Sequence, residues 1–309
     1  MRKFYNLNRI LNEGGNAIKQ SMPIPAEIAP SLADKIAKGI SDELGVQTAV
    51  YGSVGKKKPG QTHGDLDIGV QMPYNEENLS NLKNAIYELF GQNVVETKDM
   101  PGLKLFSFGY CYVYKSETKV AQVDCMFTNS VEIGSFSYYS PNLANGESKF
   151  KGLFRTELLD SIIGIHPIDA NKYPEDFWED EFDGKFRGQV KRYWKYSFDR
   201  ELGVVVKHKT YESPASKPKG PLKNSRTIKE DTILFLNKPE KIVKWALGPD
   251  ATMADANSFE SLIDYIVKHW GSNKVDEVLD MFFNKNQFKT IIDGSVERAK
   301  EYIDMARGK

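Results

Sequence analysis

Hydrophobic residues recur every four positions between residues 25 and 44, which is the spacing of one face of an α-helix. The residues on this face are Ile28, Leu32, Ile36, Ile40 and Leu44. Gly45 follows them and is expected to end the helix. The apolar runs VQTAVY (46–51) and DLDIGVQ (65–71) then predict two strands, with a Gly-Ser turn after the first.

The next part of the chain alternates between the two kinds of pattern. Asn75 is a predicted N-cap, and Glu76 and Glu77 follow it in the first turn of a predicted helix. Three further segments predict strands: NVVET (93–97), LKLFSFGYCYVY (103–114) and KVAQVDCMF (119–127). The polar segment SETK joins the last two and indicates a hairpin. Residues 149–165 again predict a helix.

The character of the chain changes after about residue 170. The acidic and aromatic segment YPEDFWEDEFDG (173–184) is interpreted as a surface helix or loop. RYWKYSF and GVVVKHKTY flank DREL (199–202) and predict a second hairpin, and residues 213–225 are interpreted as a loop or linker. Helical patterns follow at 255–270, 273–283 and 293–306. These changes divide the chain into an α/β region over 1–170, a basic insert over 171–227 and a helical region over 228–309.

Overall composition excludes few functions, since 42 basic residues balance 42 acidic residues. The distribution is more informative, because residues 185–229 contain 13 Lys or Arg and 3 Asp or Glu. Such a basic region favours contact with an anion. Cys111 and Cys125 lie in apolar runs without zinc-site spacing, which predicts buried free thiols. The absence of a signal-like or membrane-spanning run predicts a cytoplasmic protein without membrane contact.

Acidic residues interrupt two of the predicted strands. Asp65 and Asp67 lie two residues apart, so they share one strand face at about 7 Å, while Leu66 and Ile68 face the core. Two such carboxylates repel each other unless a cation neutralises them, and their oxygen atoms suit Mg²⁺. Asp124 interrupts a later strand. If that strand lies beside the first, three carboxylates converge in a set that can hold two cations.

The turn before these aspartates suits the same chemistry. Gly52 permits close approach of a phosphate, and Ser53 offers a hydroxyl and an amide donor. Lys56, Lys57 and Lys58 follow in a loop and can screen a triphosphate, although a solvated charge run accounts for them equally well. The sequence therefore predicts a strand, a phosphate-binding turn and a second strand that carries metal ligands.

Together these residues resemble the DNA polymerase β-type nucleotidyltransferase superfamily. The resemblance is carried by Tyr51-Gly52-Ser53, a spacer of eleven residues, Asp65-Leu66-Asp67 and the lone Asp124 on a later strand. It covers residues 25–165 and implies an α+β fold in which helices flank a mixed sheet, and the patterns after residue 228 add a helical C-terminal region to this prediction. It also implies that residues 1–170 form the catalytic domain.

The resemblance assigns a role to each matching residue. Asp65 and Asp67 would hold the metal that carries the triphosphate, and Asp124 would bind the catalytic metal and polarise the attacking hydroxyl. Two Mg²⁺ ions are implied, with Mn²⁺ as an alternative. Gly52 and Ser53 would bind the β- and γ-phosphates, with Lys57 as the candidate cation.

Two further groups of cations are candidates for ligand contacts. Lys151 and Arg155 lie four residues apart on a predicted helix, where they either reach the nucleotide phosphates or form an exposed pair. The basic insert supplies candidate nucleic-acid contacts at Lys191, Arg192, Lys195 and Lys207. Tyr193, Trp194 and Tyr196 lie among them and either stack on bases or pack inward.

These observations lead to a hypothesis of metal-dependent transfer of a nucleoside monophosphate from a nucleoside triphosphate, most simply ATP, to an acceptor hydroxyl. The basic insert favours a nucleic-acid acceptor, such as an RNA 3′ end. One alternative is nucleotidylation of a protein or a small molecule by the same core. A second alternative is an inactive core that only binds nucleotide or nucleic acid, although all three acidic residues are retained.

Overall fold

A computed structural model of the protein describes residues 17–140, 148–150, 152–174, 176–182, 186–214, 226–285, 288, 291 and 294–308. Within these ranges, only the backbone is described at 176–182, 186–192, 211–214 and 226–229. The strands and helices follow one another as β1 (Ile24–Pro25), α1 (Ala29–Leu44), β2 (Thr48–Val50), β3 (Thr62–His63), β4 (Leu66–Gln71), α2 (Glu76–Phe90), β5 (Val94–Met100), β6 (Leu105–Tyr114), β7 (Glu117–Thr128), α3 (Val131–Ser137), α4 (Gly152–Gly164), β8 (Asp176–Phe182), β9 (Phe186–Asp199), β10 (Gly203–Pro214), β11 (Arg226–Leu236), α5 (Pro239–Leu247), α6 (Phe259–His269), α7 (Ser272–Phe283) and α8 (Ser295–Ala306).

A five-stranded mixed sheet forms the first half of the protein. Its strand order is β2-β4-β7-β6-β5, in which only the β4–β7 pair is parallel. Helices α1 and α2 cover one face, where Ile36 and Ile40 pack with Leu66 and Ile68 in a shared core. Because side chains alternate along a strand, Asp65 and Asp67 lie on the opposite face. The predicted orientation of Leu66 and Ile68 is confirmed, since both are fully buried.

Local signals fix the ends of several of these elements. The Asn75 side chain accepts a hydrogen bond from the Asn78 amide at 2.8 Å, which confirms the predicted N-cap of α2. Gly45 ends α1 with a φ of 63°. The hairpin between β6 and β7 turns through Lys115 and Ser116, which both have positive φ. This two-residue turn differs from the predicted SETK turn, and it lets β7 begin at Glu117.

A second, four-stranded antiparallel sheet follows, with the order β11-β10-β9-β8. It packs with helices α4 to α8 around one hydrophobic core. The core includes Phe154 and Leu158 of α4, Phe198 of β9, Val204 of β10, Ile242 of α5, Phe259 of α6, Phe282 of α7 and Ile303 of α8. The predicted fold class is therefore confirmed: the protein is α+β, with a mixed sheet flanked by helices and a helical C-terminal region.

Some predictions for the second half need correction. Residues 176–182 form strand β8 rather than a surface helix or loop, because their backbone pairs with β9. The hairpin around residues 199–202 is confirmed by the β9–β10 pairing. The boundary predicted between 227 and 228 falls inside β11, and strands of the insert share a core with the C-terminal helices. The division into three domains otherwise stays a prediction, and much of the predicted linker at 213–225 lies outside the described residues.

Cys125 is buried as predicted, whereas Cys111 is partly exposed, and both are free thiols. Among the helices of the described ranges, none combines the length and the apolar character that crossing a lipid bilayer would require.

Candidate active site

Three carboxylates meet on the open face of the mixed sheet. Asp67 of β4 lies directly opposite Asp124 of β7 in the parallel pair, and Asp65 precedes β4 by one residue. Each of the three can offer an oxygen atom such that all of these oxygens lie within 4.8 Å of one another. The convergence of Asp65, Asp67 and Asp124 that the sequence predicted is therefore present in the structure.

Burial raises the pKa values of two of these acids, and repulsion contributes to one of the two shifts. Burial raises the pKa of Asp67 well above its usual value, and the neighbouring charges of Asp65 and Asp124 raise it further. Burial also raises the pKa of Asp124, an effect that hydrogen bonding from Gln122 partly opposes. The cluster is thus a place where negative charge is unfavourable unless a positive group is bound.

These three residues fit divalent metal ions by their chemistry. All of the candidate ligands are carboxylate oxygens, the ligand type that Mg²⁺ and Mn²⁺ accept. Bound cations would remove the repulsion that raises the pKa of Asp67. Asp65, Asp67 and Asp124 are therefore the residues that could hold metal ions here.

The ring of Tyr51, the residue before the Gly-Ser turn, packs tightly between the sheet and α3. Tyr51 lies between Gly69 of β4 and Gly134 of α3, where an added Cβ would come within 2.1 Å and 1.9 Å of the Tyr51 side chain. Gly52 has a φ of 72°, and a Cβ there would lie 3.1 Å from Oδ2 of Asp67. Glycine at position 52 thus satisfies both a backbone conformation and a close approach to a carboxylate.

The main-chain amide of Gly52 is already engaged in the described structure. It donates to the carbonyl of Tyr138 at 3.3 Å, so the predicted phosphate contact by this amide would require that bond to break. The Ser53 hydroxyl lies 3.2 Å from Nδ1 of His63. Burial lowers the pKa of His63 to about 4, and the charge of Lys57 contributes to this shift. His63 is therefore neutral near pH 7, and whether Ser53 contacts a phosphate stays a prediction.

The lysines of the loop differ in their contacts. Lys57 donates from Nζ to the carbonyl of Thr62 at 2.8 Å, which folds the loop onto itself. Lys56 donates to the carbonyl of Ser140 at 2.6 Å, and its Nζ lies 3.8 Å from the centre of the Tyr139 ring. Whether Lys57 contacts a nucleotide phosphate stays a prediction.

A cavity of about 220 Å³ adjoins the turn on the side of α1. Its lining includes Asp34 of α1, Gly52, Lys56, Tyr138 and Tyr139. The three aspartates do not line it, so the cavity and the carboxylate cluster are neighbouring features rather than one pocket. Gly52 belongs to both, since it contacts the cavity and also lies close to Asp67.

Gln122 is a residue of the site that the sequence pattern did not single out. It lies two residues before Asp124 on the same face of β7, and its amide donates to both carboxylate oxygens of Asp124 at 3.0 Å. Its side-chain oxygen accepts from the amides of Ala17 at 3.0 Å and Ile18 at 3.1 Å. The sequence did contain one signal for it: a polar residue lies two positions before the acid in an otherwise apolar strand, and therefore on the same face.

Of the two helix cations predicted to bind phosphate, Lys151 lies outside the described residues. Arg155 is only 1% exposed, and its guanidinium donates to the carbonyls of Phe136 and Ala256. Burial lowers the pKa of Arg155 to about 10. These contacts give Arg155 a structural role between α3, α4 and the segment before α6. Its contact with a nucleotide stays a prediction that the geometry does not favour.

The predicted nucleic-acid residues lie on β9 and β10. The side chains of Lys191 and Arg192 lie outside the described residues, whereas Lys195 is exposed and lies directly opposite Lys207. Trp194 and Tyr196 point to the other face of the strand. The Trp194 ring stacks on His208 with centroids 3.9 Å apart, and Tyr196 packs on Trp245 at 4.8 Å. These two aromatic rings therefore pack inward, which was the alternative to stacking on bases.

Comparison with known proteins gives a distant structural likeness. The ternary P/T complex of Leishmania infantum polymerase β aligns with 46% of this chain and 55% of the polymerase chain, at 14% identity and a TM-score of 0.33. The ternary gap complex of that polymerase aligns with 45% and 48% of the two chains, at 14% identity and a TM-score of 0.32. This chain thus spans about half the length of the polymerase chains it matches. No protein-family model and no curated protein matches it.

Proposed function

We propose that this protein is a polymerase β-like nucleotidyltransferase that transfers a nucleoside monophosphate from a nucleoside triphosphate to an acceptor hydroxyl. The observation that carries the proposal is the meeting of Asp65, Asp67 and Asp124 on one sheet face. Three buried or half-buried acids in an otherwise apolar pair of strands are costly for folding unless they bind cations. A Gly-Ser turn whose glycine approaches Asp67 adds a place for phosphates.

In the reaction, the acceptor oxygen forms a bond to the α-phosphorus, and the bond from that phosphorus to the bridging oxygen of the β-phosphate breaks. Pyrophosphate carries away the leaving electron pair, and the acceptor hydroxyl loses its proton to solvent water. Divalent ions, when bound, neutralise the phosphate charge and favour the ionised acceptor. ATP is the simplest donor.

The residues of the chain serve this reaction by position. Asp67 lies close to Gly52, and with Asp65 it would hold the metal ion that carries the triphosphate. Asp124 lies across the strand pair from Asp67 and is oriented by Gln122. Since orientation contributes much of the rate in phosphoryl transfer, the fixed carboxylate of Asp124 favours a role next to the acceptor oxygen.

An RNA 3′ hydroxyl is the acceptor that we favour. Lys195 and Lys207 occupy directly opposed positions on β9 and β10, so two positive charges lie side by side on this face. Glu230 lies 3.9 Å from Lys207 and 3.6 Å from Lys209, so part of this charge is balanced within the protein. Phosphates of a nucleic acid would add further anionic partners on this face.

Nucleotidylation of a protein or small molecule is the second candidate. The inward packing of Trp194 and Tyr196 favours it, because these rings do not form a surface for bases. An inactive nucleotide-binding core is the third candidate, and it would bind Mg²⁺ and ATP without turnover.

The test is a transfer reaction with ATP labelled at the α-phosphate, Mg²⁺, total RNA and a protein extract. We expect label on RNA, and Asp67→Asn is expected to abolish it. Label on protein or on a small molecule would replace the favoured acceptor with the second candidate. Binding of ATP without any labelled product would favour the inactive core.

A further inference from the structure

His63 is buried beside the phosphate-binding turn, and the reaction described above leaves its role open. It lies in β3, where its Cα pairs with that of Ile24 in β1, and its side chain is 2% exposed. Nδ1 lies 3.2 Å from the Ser53 hydroxyl oxygen. Within the part of the chain that the structure describes, Nε2 is buried and has no hydrogen-bond partner.

Two hydrogen bonds hold the main chain that leads into His63. The amide of Ala26 donates to the carbonyl of Gln61 at 2.9 Å, which joins the end of the loop to the segment before α1. Lys57 donates to the carbonyl of Thr62, the residue before His63. The residues just before His63 are thus tied both to the segment before α1 and to Lys57 of the loop, and His63 itself is buried.

The tautomer of His63 decides what the Ser53 hydroxyl can do. A neutral imidazole has one N–H donor and one acceptor nitrogen, and a serine hydroxyl has a single hydrogen to donate. If Nδ1 accepts from Ser53, that hydrogen is used inside the protein and Nε2 carries a buried N–H without an acceptor. If Nδ1 donates to Ser53, the hydroxyl hydrogen stays available for another acceptor.

The second tautomer fits the surroundings better. Buried N–H groups without an acceptor are rarer in proteins than buried acceptors without a donor. With the hydrogen on Nδ1, the unpartnered Nε2 is an acceptor only. Ser53 then accepts from His63, and its hydroxyl hydrogen stays available to a ligand at the turn, where the adjacent Gly52 lies close to Asp67.

We infer that His63 is a positioning residue, which donates from Nδ1 to the Ser53 hydroxyl oxygen and thereby directs the Ser53 hydrogen to the phosphates of the bound nucleoside triphosphate. This inference rests on the proposed function for the identity of the ligand. It does not rest on that function for the tautomer, which is a property of the protein alone.

The tautomer can be measured directly on the protein without ligand. Long-range ¹H–¹⁵N correlation spectra distinguish protonated from bare imidazole nitrogens, and the chain contains only 4 histidines. His63→Asn identifies the His63 signals by their loss. We expect a hydrogen on Nδ1 and a bare Nε2 at pH 7. A hydrogen on Nε2 with a bare Nδ1 would overturn the inference.

The role is tested by a double-mutant cycle with Mg²⁺ and ATP as the probe. His63→Leu removes the donor, and His63→Asn keeps an N–H donor near the position of Nδ1. Ser53→Ala and His63→Leu are each expected to weaken ATP binding about tenfold, the loss of one hydrogen bond to a charged group. The double variant is expected to bind no more weakly than Ser53→Ala, and His63→Asn is expected to recover most of the affinity.

The possible failures are distinguishable. If the two losses multiply in the double variant, or if a folded His63→Asn binds as weakly as His63→Leu, His63 does not act through Ser53. Thermal unfolding of each variant shows whether a loss of ATP affinity comes from misfolding. If His63→Leu is misfolded, the ATP affinity of a folded His63→Asn protein decides whether His63 acts through Ser53. If the wild-type protein binds no ATP, the proposed function fails, and the ligand part of the inference fails with it. The tautomer spectrum then still decides whether His63 donates to Ser53.

Discussion

Asp67 and Asp124 occupy directly opposed positions in the parallel pair of β4 and β7. Their carboxylates thus share one sheet face with Asp65, which lies two residues before Asp67. The raised pKa values of Asp67 and Asp124 are the physical cost of this arrangement in the protein without cations. A site that is unfavourable alone and favourable with bound cations is typical of function rather than of stability.

Metal binding should therefore be visible as a change in stability. Mg²⁺ at millimolar concentration is expected to raise the melting temperature of the wild-type protein, because a ligand that binds only the folded state stabilises it. Asp67→Asn should abolish this increase. The same variant should be at least as stable as the wild type without metal, because it removes one of three repelling charges.

Differential scanning calorimetry measures both effects. Asp304→Asn is the matched control, since Asp304 is exposed on α8 and far along the chain from the cluster. The control should keep the full response to Mg²⁺. An equal response in Asp67→Asn and in the wild type would show that the ion binds elsewhere.

Gln122 is expected to affect activity and stability together. Gln122→Met removes the amide that orients Asp124, and removal of such supporting contacts commonly lowers metal affinity or activity 10–100-fold. It also leaves the amides of Ala17 and Ile18 without their acceptor, at a cost of about 1–3 kcal/mol. Urea unfolding and nucleotidyl transfer measure the two losses, and a fully active Gln122→Met protein would contradict this role.

The packing of Tyr51 against Gly134 predicts that any larger residue at position 134 destabilises the protein. Gly134→Ala would bring a Cβ within 1.9 Å of the Tyr51 hydroxyl, so the ring or α3 must shift, and a loss of about 1–3 kcal/mol is expected. Helix propensity alone would predict a gain of about 1 kcal/mol for the same change. The two effects have opposite signs, and urea unfolding separates them.

Gly39→Ala is the control for that experiment. Gly39 also lies in a helix, α1, but its added Cβ would meet the edge of the Phe90 ring at 3.3 Å, a contact that a small ring movement relieves. We expect it to change stability far less than Gly134→Ala. Equal effects of both substitutions would contradict the role of Tyr51 packing.

Asp160 is expected to make stability depend on pH. Burial raises its pKa, but Lys285 and hydrogen bonds from Phe198 and Ser197 outweigh burial and hold the pKa below its usual value. A depressed folded-state pKa stabilises the protein above the unfolded-state pKa, and this stabilisation is lost as the pH falls through the folded-state pKa. Asp160→Asn should cost about 1–3 kcal/mol at pH 7.

Urea unfolding of the wild type and of Asp160→Asn between pH 7 and acid pH measures this pH dependence of stability. The difference between the wild type and Asp160→Asn should be constant above the usual pKa of aspartate, about 4, and should shrink below it. A difference that does not change with pH would contradict the ion pair with Lys285, whose Nζ lies 2.6 Å from Oδ2 of Asp160.

Nucleic-acid binding depends on the outward lysines of β9 and β10. Replacing both Lys195 and Lys207 with glutamine should weaken RNA binding and should lower the salt slope of log K by about 0.7 for each lost phosphate contact. Lys38→Gln with Lys268→Gln is the matched control, because it removes the same charge from exposed positions on α1 and α6. Equal RNA affinities and equal salt slopes in the two double variants would show that this face of β9 and β10 does not bind RNA.

The sequence predicts the carboxylate site well because its signal is local. Two acids with period-2 spacing must share a strand face, and packing alone rarely places a third acid in another apolar strand. Strand order is not a local property, so the sequence supplied the adjacency of the Asp124 strand only as a condition, which the parallel pairing of β4 with β7 meets. Gln122 was missed because a glutamine in a strand carries no charge signal, although it lies on the same face as Asp124.

The prediction of a phosphate contact at Arg155 illustrates a limit of periodicity. Helix α4 is buried on nearly all sides, with Phe154, Leu158 and Ile162 fully or almost fully buried, so spacing does not indicate which face meets solvent. The cation instead donates to main-chain carbonyls. Strand β8 was mistaken for a surface helix or loop because its acidic composition hides a pairing that only its neighbour β9 supplies.

The central claim is that Asp65, Asp67 and Asp124 jointly bind divalent ions. A crystal grown with Mn²⁺ and a non-hydrolysable ATP analogue tests it, since Mn²⁺ gives an anomalous signal that locates the ion. We predict anomalous density between the three carboxylates, in contact with phosphate oxygens of the analogue near Ser53. Bound analogue with no Mn²⁺ at these carboxylates, or Mn²⁺ held by other residues, would contradict the account.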